Sequence, residues 1–126
     1  MISMTPDAEI VKSLAEEAME KGKRTGAAVT CRVNDATPSV FFSHSISRNS
    51  QEDIAAQMAE SGVYFLSGGG EKYWTKRKDG RDLTAEIQKK GYSLQAEFLI
   101  PFQEIQLYQH QLLPGWLHDV SLHILQ

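Results

Sequence analysis

Apolar residues recur along the chain with two periods, and the switches between them divide it into elements. Ile10, Val11, Leu14, Ala18 and Met19 fall at helical spacing. Thr5, Pro6 and Asp7 stand before them as a hydroxyl cap, a proline at the first helical position and an acid in the first turn, so an amphipathic helix is expected from residue 7 to Gly22. Residues 26 to 33, "GAAVTCRV", have strand composition; "NDATP" interrupts them with turn residues, and residues 39 to 43 read as a second strand. Ser50 and Asp53 open a helix that buries Ile54, Ala55, Met58 and Ala59 and stops at Gly62. "VYFL", residues 63 to 66, reads as a short buried strand, and residues 67 to 81 as a Gly-rich charged loop. Asp82 starts a helix with Leu83 and Ile87 inward, closed by Lys89, Lys90 and Gly91. "YSLQAEFLI", residues 92 to 100, alternates up to Pro101, and "VSLHIL" alternates as a terminal strand. Helices and strands mixed without strict alternation imply an α+β fold: a single domain over residues 1–126, with mixed, mostly antiparallel sheets and flanking helices.

Composition narrows the classes. A chain of 126 residues with 41% hydrophobic content is the size of one domain with a real core. Its net charge of -3 gives no global attraction to nucleic acid or an anionic membrane. Cys31 is the only cysteine, which excludes an internal disulfide and leaves a small core thiol as the plain reading. No apolar run is long enough to span a bilayer, so no membrane partner is expected, and the compartment expected is the cytoplasm or that of a secreted effector.

Two polar clusters interrupt otherwise apolar strands. Ser43, Ser45 and Ser47 would share one face if the strand from residue 39 continues, and could line a cleft; the alternative is that they are turn and cap residues, as Ser50 is expected to be. Gln95 and Glu97 also share a face, opposite Leu94, Ala96 and Phe98, and a carboxylate there needs a partner or a task.

The order "FFSHSIS", a helix, "GVYFL", then "LQAEFLIPFQEI" resembles the core of mono-ADP-ribosyltransferases of the cholera- and pertussis-toxin class. The resemblance implies an ADP-ribosyltransferase-like fold and NAD+ as substrate, with no metal. It makes Glu97 the carboxylate that stabilises the oxocarbenium-like ribose, Gln95 the group that orients the acceptor, and Ser45 the serine that positions both. Ser43, His44 and Arg32 would hold the dinucleotide, and Tyr92 would meet the acceptor. The acceptor would be a macromolecule, first of all a protein, and the chain a toxin, effector or phage-type modifier. That family also needs a phosphate-holding arginine on an earlier strand. Arg32 is the only strand arginine ahead of the serines, Arg24 and Arg48 being loop alternatives, and His44 replaces the usual threonine. A partner chain supplying the arginine would complete the site. The alternative function is a catalytically inactive interaction module, inhibitor- or immunity-like.

Lys72, Lys76, Arg77, Lys78 and Arg81 surround Tyr73 and Trp74, a basic loop that suits nucleic acid or simply a solvated connection. "GGG" at residues 68 to 70 lacks the ending of a phosphate loop. His110, His118, Asp119 and His123 have no metal-ligand spacing.

Overall fold

The computed structural model describes residues 1–95 and 122–125. Among them the elements run α1 (Leu14–Glu20), β1 (Gly26–Arg32), α2 (Ala36–Ser39), α3 (Gln51–Glu60), β2 (Phe65–Gly69), α4 (Lys72–Thr75), α5 (Leu83–Lys89), β3 (Ser93–Gln95) and β4 (Leu122–Leu125).

β1 and β2 are parallel neighbours, with Gly26 opposite Phe65 and Ala28 opposite Ser67. A parallel pair needs a crossover rather than a hairpin, and here α2 and α3 provide it. β4 then pairs antiparallel with both β2 and β3, giving the order β1-β2-β4-β3. The expected ADP-ribosyltransferase-like, mostly antiparallel architecture is overturned by this β1–α–β2 unit.

The reason lies at residues 35 to 43. The Asp35 carboxylate accepts the Ala36 N–H at 3.0 Å and caps α2, while Pro38 sits in the first turn, where no helical N–H is lost. Pro38, Ser39, Phe42 and Ser43 are the buried positions, a helical spacing and not the alternation of a strand. The expected strand at residues 39 to 43 is therefore a short helix and its exit turn, and removing it leaves helices alone between β1 and β2.

The N-terminus also departs from expectation. Ser13 and Glu16 form a complete capping box, which starts α1 at Leu14. Thr5 instead closes a turn, taking the Glu9 N–H on its hydroxyl at 3.1 Å, and Ala8 has a φ of 63°. Residues 1–13 run as a strap whose buried anchor is Ile2, paired with Ser45 by Ile2 N–H to Ser45 O at 2.7 Å and Ser45 N–H to Ile2 O at 3.0 Å. Ile10, Val11 and Leu14, expected inward, are exposed.

α3 buries Ile54, Ala55, Met58 and Ala59 as its pattern requires, against Leu66 of β2, Trp74 of α4, and Leu83 and Ile87 of α5. Each fully buried large side chain in this cluster contributes about 1.5–3 kcal/mol. Asp82 caps α5, accepting the Thr84 and Ala85 N–H groups. The expected loop at residues 67 to 81 holds the end of β2 and all of α4. Gly68 is where β2 comes closest to β1: a Cβ there would lie 2.7 Å from Val29 Cγ2 and 2.8 Å from the Cys31 carbonyl. The β1–β2 register shifts between Ala28 and Arg32, alongside this contact.

Candidate anion-binding site

In α/β units, ligands meet the carboxyl ends of parallel strands, where the chain leaves the sheet and side chains of successive loops converge. β1 ends at Arg32 and β2 at Gly69, so this edge is the first place to look.

Three charged side chains gather there. Asp35 Oδ1 lies 3.2 Å from Arg48 Nη2 and 3.8 Å from Arg32 Nη2. Arg32 also donates from Nη1 to the Tyr73 hydroxyl at 3.3 Å, and its guanidinium lies 5.8 Å from the Tyr73 ring centroid. Asp35 is thus flanked by two guanidinium groups that it cannot both neutralise. The Arg48 side chain is 62% exposed, so most of its fork of donors remains open to an incoming oxyanion.

The position of Arg48 is set from below. Asn34, fully buried, donates from Nδ2 to the side-chain oxygen of Gln51 at 2.7 Å and to its carbonyl at 3.2 Å. Gln51 Nε2 donates to the Arg48 carbonyl at 2.5 Å. Ser45 and Ser47 shape the approach: the Ser45 hydroxyl donates to Ser47 O at 2.9 Å and accepts the Ser47 N–H, and the Ser47 hydroxyl accepts the Asn49 N–H at 3.2 Å. Gly70, at a φ of 96°, closes the floor: a Cβ there would lie 2.7 Å from Asn34 Oδ1.

The residues singled out from sequence are dispersed. Ser43 is 1% exposed, its hydroxyl given to the Ser39 carbonyl at 2.9 Å. Ser45 serves its own turn. His44 lies between Ser3 and Glu16. Tyr92 is buried in the core, its hydroxyl donated to the Val63 carbonyl at 2.8 Å, and burial pushes its phenol up. Gln95 ends β3, which β2 and β4 separate from β1. Glu97 lies outside the described residues, as do His110, His118 and Asp119. Arg32 alone stands at the carboxyl edge, joined there by Arg48, first read as a loop arginine. Asp35, Asn34 and Tyr73 had no sequence signal beyond turn composition and a basic loop.

Both arginines of that basic loop are engaged. The Arg77 side chain is 2% exposed, donating to the carbonyls of Glu52 and Tyr73 and to Asp79, whose carboxyl it pulls down to about 2 together with the Arg81 N–H. Arg81 pairs with Glu86 and Glu60. Burial pushes the half-buried Cys31 thiol up, consistent with an inert core thiol.

The edge is that of an α/β protein with two guanidinium groups beside one carboxylate, and the comparisons with known proteins give the family. The alkaline phosphatase family model matches residues 1–99, and the chain belongs to that family. It is 37% identical over 98 residues to alkaline phosphatase 4 of Bacillus subtilis (strain 168), covering 73% of this chain and 21% of that protein. Alkaline phosphatase 3 of the same organism is 38% identical, again over 73% of this chain and 21% of the relative. Among solved structures, a mutant of the TAB5 alkaline phosphatase with magnesium bound in its M3 site superposes with a TM-score of 0.74 at 36% identity, over 82% of this chain and 30% of that one. TAB5 is an Antarctic bacterium. The chain thus spans about a fifth of the length of the curated relatives it matches.

These findings replace the ADP-ribosyltransferase resemblance. The relatives are phosphatases, so NAD+ as substrate, ADP-ribosyl transfer and a toxin or effector role are overturned, and the inactive inhibitor-like module is not supported. The expectation of no metal is overturned as well, since the TAB5 relative holds magnesium. The donors seen in this chain do not make a magnesium site by themselves. Among the described residues no three His, Cys, Asp or Glu side chains come together. At the carboxyl edge Asp35 is a single carboxylate already flanked by two arginines, and the spare Asn34 oxygen packs against Gly70. Magnesium takes six oxygen ligands, commonly one or two carboxylates completed by waters and substrate phosphate, so Asp35 alone does not complete a site among the described residues, and no step below is routed through it.

Proposed function

We propose that this chain carries the oxyanion-binding part of an alkaline-phosphatase-type phosphomonoesterase, with Arg48 as the residue that meets the phosphoryl group. The observation that carries the reading is the placement of Arg48 beside Asp35 and Arg32 at the carboxyl edge of a parallel strand pair, in a chain of that family.

The chemistry follows from charge. A phosphate monoester is a dianion whose equatorial oxygens keep their charge as the ester bond breaks, so a planar guanidinium that bonds two of them binds substrate and stabilises the transition state. Asp35 would hold Arg48 at the edge without masking it, because only Nη2 contacts the carboxylate. Arg32, tied to Tyr73 and half-buried, would supply a fixed second positive charge at the back of the site.

The test is a graft. Residues 1–99 replace the matching segment of Bacillus subtilis alkaline phosphatase 4, and hydrolysis of p-nitrophenyl phosphate is followed with magnesium present. The expected result is a folded phosphatase whose KM rises about tenfold or more on Arg48→Ala, the loss of one charged hydrogen-bonding partner. A folded graft that hydrolyses the ester equally well without Arg48 would overturn the reading.

A further inference from the structure

His44 stands four residues before Arg48 and is held at every polar atom. Its N–H donates to Gln57 Oε1 at 2.7 Å, and its carbonyl accepts from Gln57 Nε2 at 2.9 Å. Its ring lies between two oxygens, Nδ1 2.9 Å from the Ser3 carbonyl and Nε2 2.7 Å from Glu16 Oε1. Both oxygens only accept: one is a backbone carbonyl and the other belongs to a carboxylate. A neutral imidazole carries one N–H and one lone pair, so it can serve only one of them. Both contacts are hydrogen bonds only when the ring is the doubly protonated imidazolium. Three segments therefore meet at one ring: the strap through Ser3, α1 through Glu16, and the segment leading to Arg48 through His44 itself.

We propose that His44, held as an imidazolium between Ser3 and Glu16, is the positioning residue that fixes the Arg48 segment for oxyanion binding. This rests on the reading of Arg48 as the phosphoryl contact. The strap has few other ties to this segment: the Ile2–Ser45 pairing, the Ser3 hydroxyl donated to the Val40 carbonyl, and the Ser13 hydroxyl donated to the Phe41 carbonyl. Losing the ring proton would turn a lone pair toward one of the two oxygens and loosen all three segments together.

The charged groups facing the ring come from one side. Glu16 is in contact, and Glu20 and Lys12 line the same open groove of about 330 Å³, where they pair with each other at 2.6 Å. Gln57 and Ser61, from the α3 side, and the Ser3 carbonyl, from the strap, are neutral. Glu16 is thus the charge that governs the ring. Burial disfavours both ions, yet the Ser3 carbonyl and Glu16 hold the His44 imidazole above its ordinary value.

The full chain can be tested with inorganic sulfate, a phosphate-shaped dianion whose charge stays constant between about pH 5 and 9, where His titrates. Its dissociation constant is measured by calorimetry across that range for the natural chain and for Arg48→Ala, His44→Gln and Glu16→Gln, with the His44 ring followed by ¹⁵N NMR. The expected result is sulfate binding that depends on Arg48 and weakens about fivefold as the ring loses its second proton. His44→Gln should bind more weakly at low pH and lose that step, and Glu16→Gln should move the step to lower pH. Binding that depends on Arg48 but stays flat through the His44 titration, or a ring found singly protonated near pH 6, would overturn the positioning role alone. Binding indifferent to Arg48→Ala would overturn the anion-site reading, and the role of His44 with it. Circular dichroism of each variant separates these outcomes from unfolding.

Discussion

Gln57 grips the main chain of His44 with both ends of its amide, accepting the His44 N–H at 2.7 Å and donating to the His44 carbonyl at 2.9 Å. The residue is on α3, the longer helix of the crossover and packed into the core, so the grip ties the segment that carries Arg48 to that core. Gln57→Ala leaves two part-buried backbone groups without these partners, and the expected loss is about 1–3 kcal/mol of unfolding free energy. Urea unfolding checks this. Gln57→Glu keeps the acceptor and loses the donor, so its midpoint should fall between the two.

The His44–Glu16 pair makes stability depend on pH with a definite sign. Against burial, the Ser3 carbonyl and Glu16 raise His44 above its ordinary 6.5. Its contribution is complete below 6.5 and is lost as pH rises through the raised value. Glu16 is lowered from 4.5, where burial is outweighed by the Ser13 N–H and the His44 ring. Its contribution is present above 4.5 and fades as acid takes pH down through the lowered value. The pair therefore stabilises most between the two ordinary values. Urea midpoints should drop from about pH 6 to pH 8.5 in the natural chain, and much less in His44→Gln.

Gly68 is a packing requirement rather than a hinge. An added methyl would meet Val29 Cγ2, the Cys31 carbonyl and Val33 Cγ1 within 2.7 to 3.0 Å, and a backbone carbonyl cannot rotate away. Gly68→Ala is expected to destabilise by about 1–3 kcal/mol, the range for overpacked cores. Gly22→Ala makes a comparison on the same scale: nothing lies within 4 Å of the added group, and only its φ of 74° resists it. Thermal unfolding of the two variants should show the larger drop at Gly68.

Ser13 ends the strap and starts α1. Its hydroxyl accepts the Glu16 N–H at 3.2 Å and donates to the Phe41 carbonyl at 2.7 Å, while Glu16 Oε2 accepts the Ser13 N–H at 2.6 Å. Ser13→Ala should cost about 1 kcal/mol. It should also speed amide exchange at Ile2 and Ser45, because the strap loses one of its two ends. Unchanged exchange there would mean that Ile2 alone anchors the strap.

The sequence pattern captured elements whose signals are local. α3 shows its buried face in Ile54, Ala55, Met58 and Ala59, α5 its Asp82 cap, and β1 its composition. It misread residues 39 to 43, because Val40, Phe41 and Phe42 have strand propensity while the cap that starts the helix before them is Asp35, hidden in a run of turn residues. That single error changed the fold class: a strand placed between β1 and β2 hid a β–α–β unit. It also created the serine-lined strand on which the ADP-ribosyltransferase resemblance stood. Thr5 and Pro6 misled in the same way, since the Ser13–Glu16 box sits eight residues further on. The site was illegible for a different reason. Asp35 and Arg48 are thirteen positions apart and meet only because α2 folds the chain back, and no local period records such a meeting.

The central claim is that Arg48 and its neighbours receive a phosphoryl-sized oxyanion. The most direct check is a crystal of the full chain soaked in tungstate, a heavy phosphate analogue located by its anomalous signal. The account predicts one tungstate at the carboxyl edge of β1, its oxygens within hydrogen-bond distance of the Arg48 guanidinium and beside Arg32. Tungstate bound elsewhere, with Arg48 still turned to Asp35 and solvent, would contradict it.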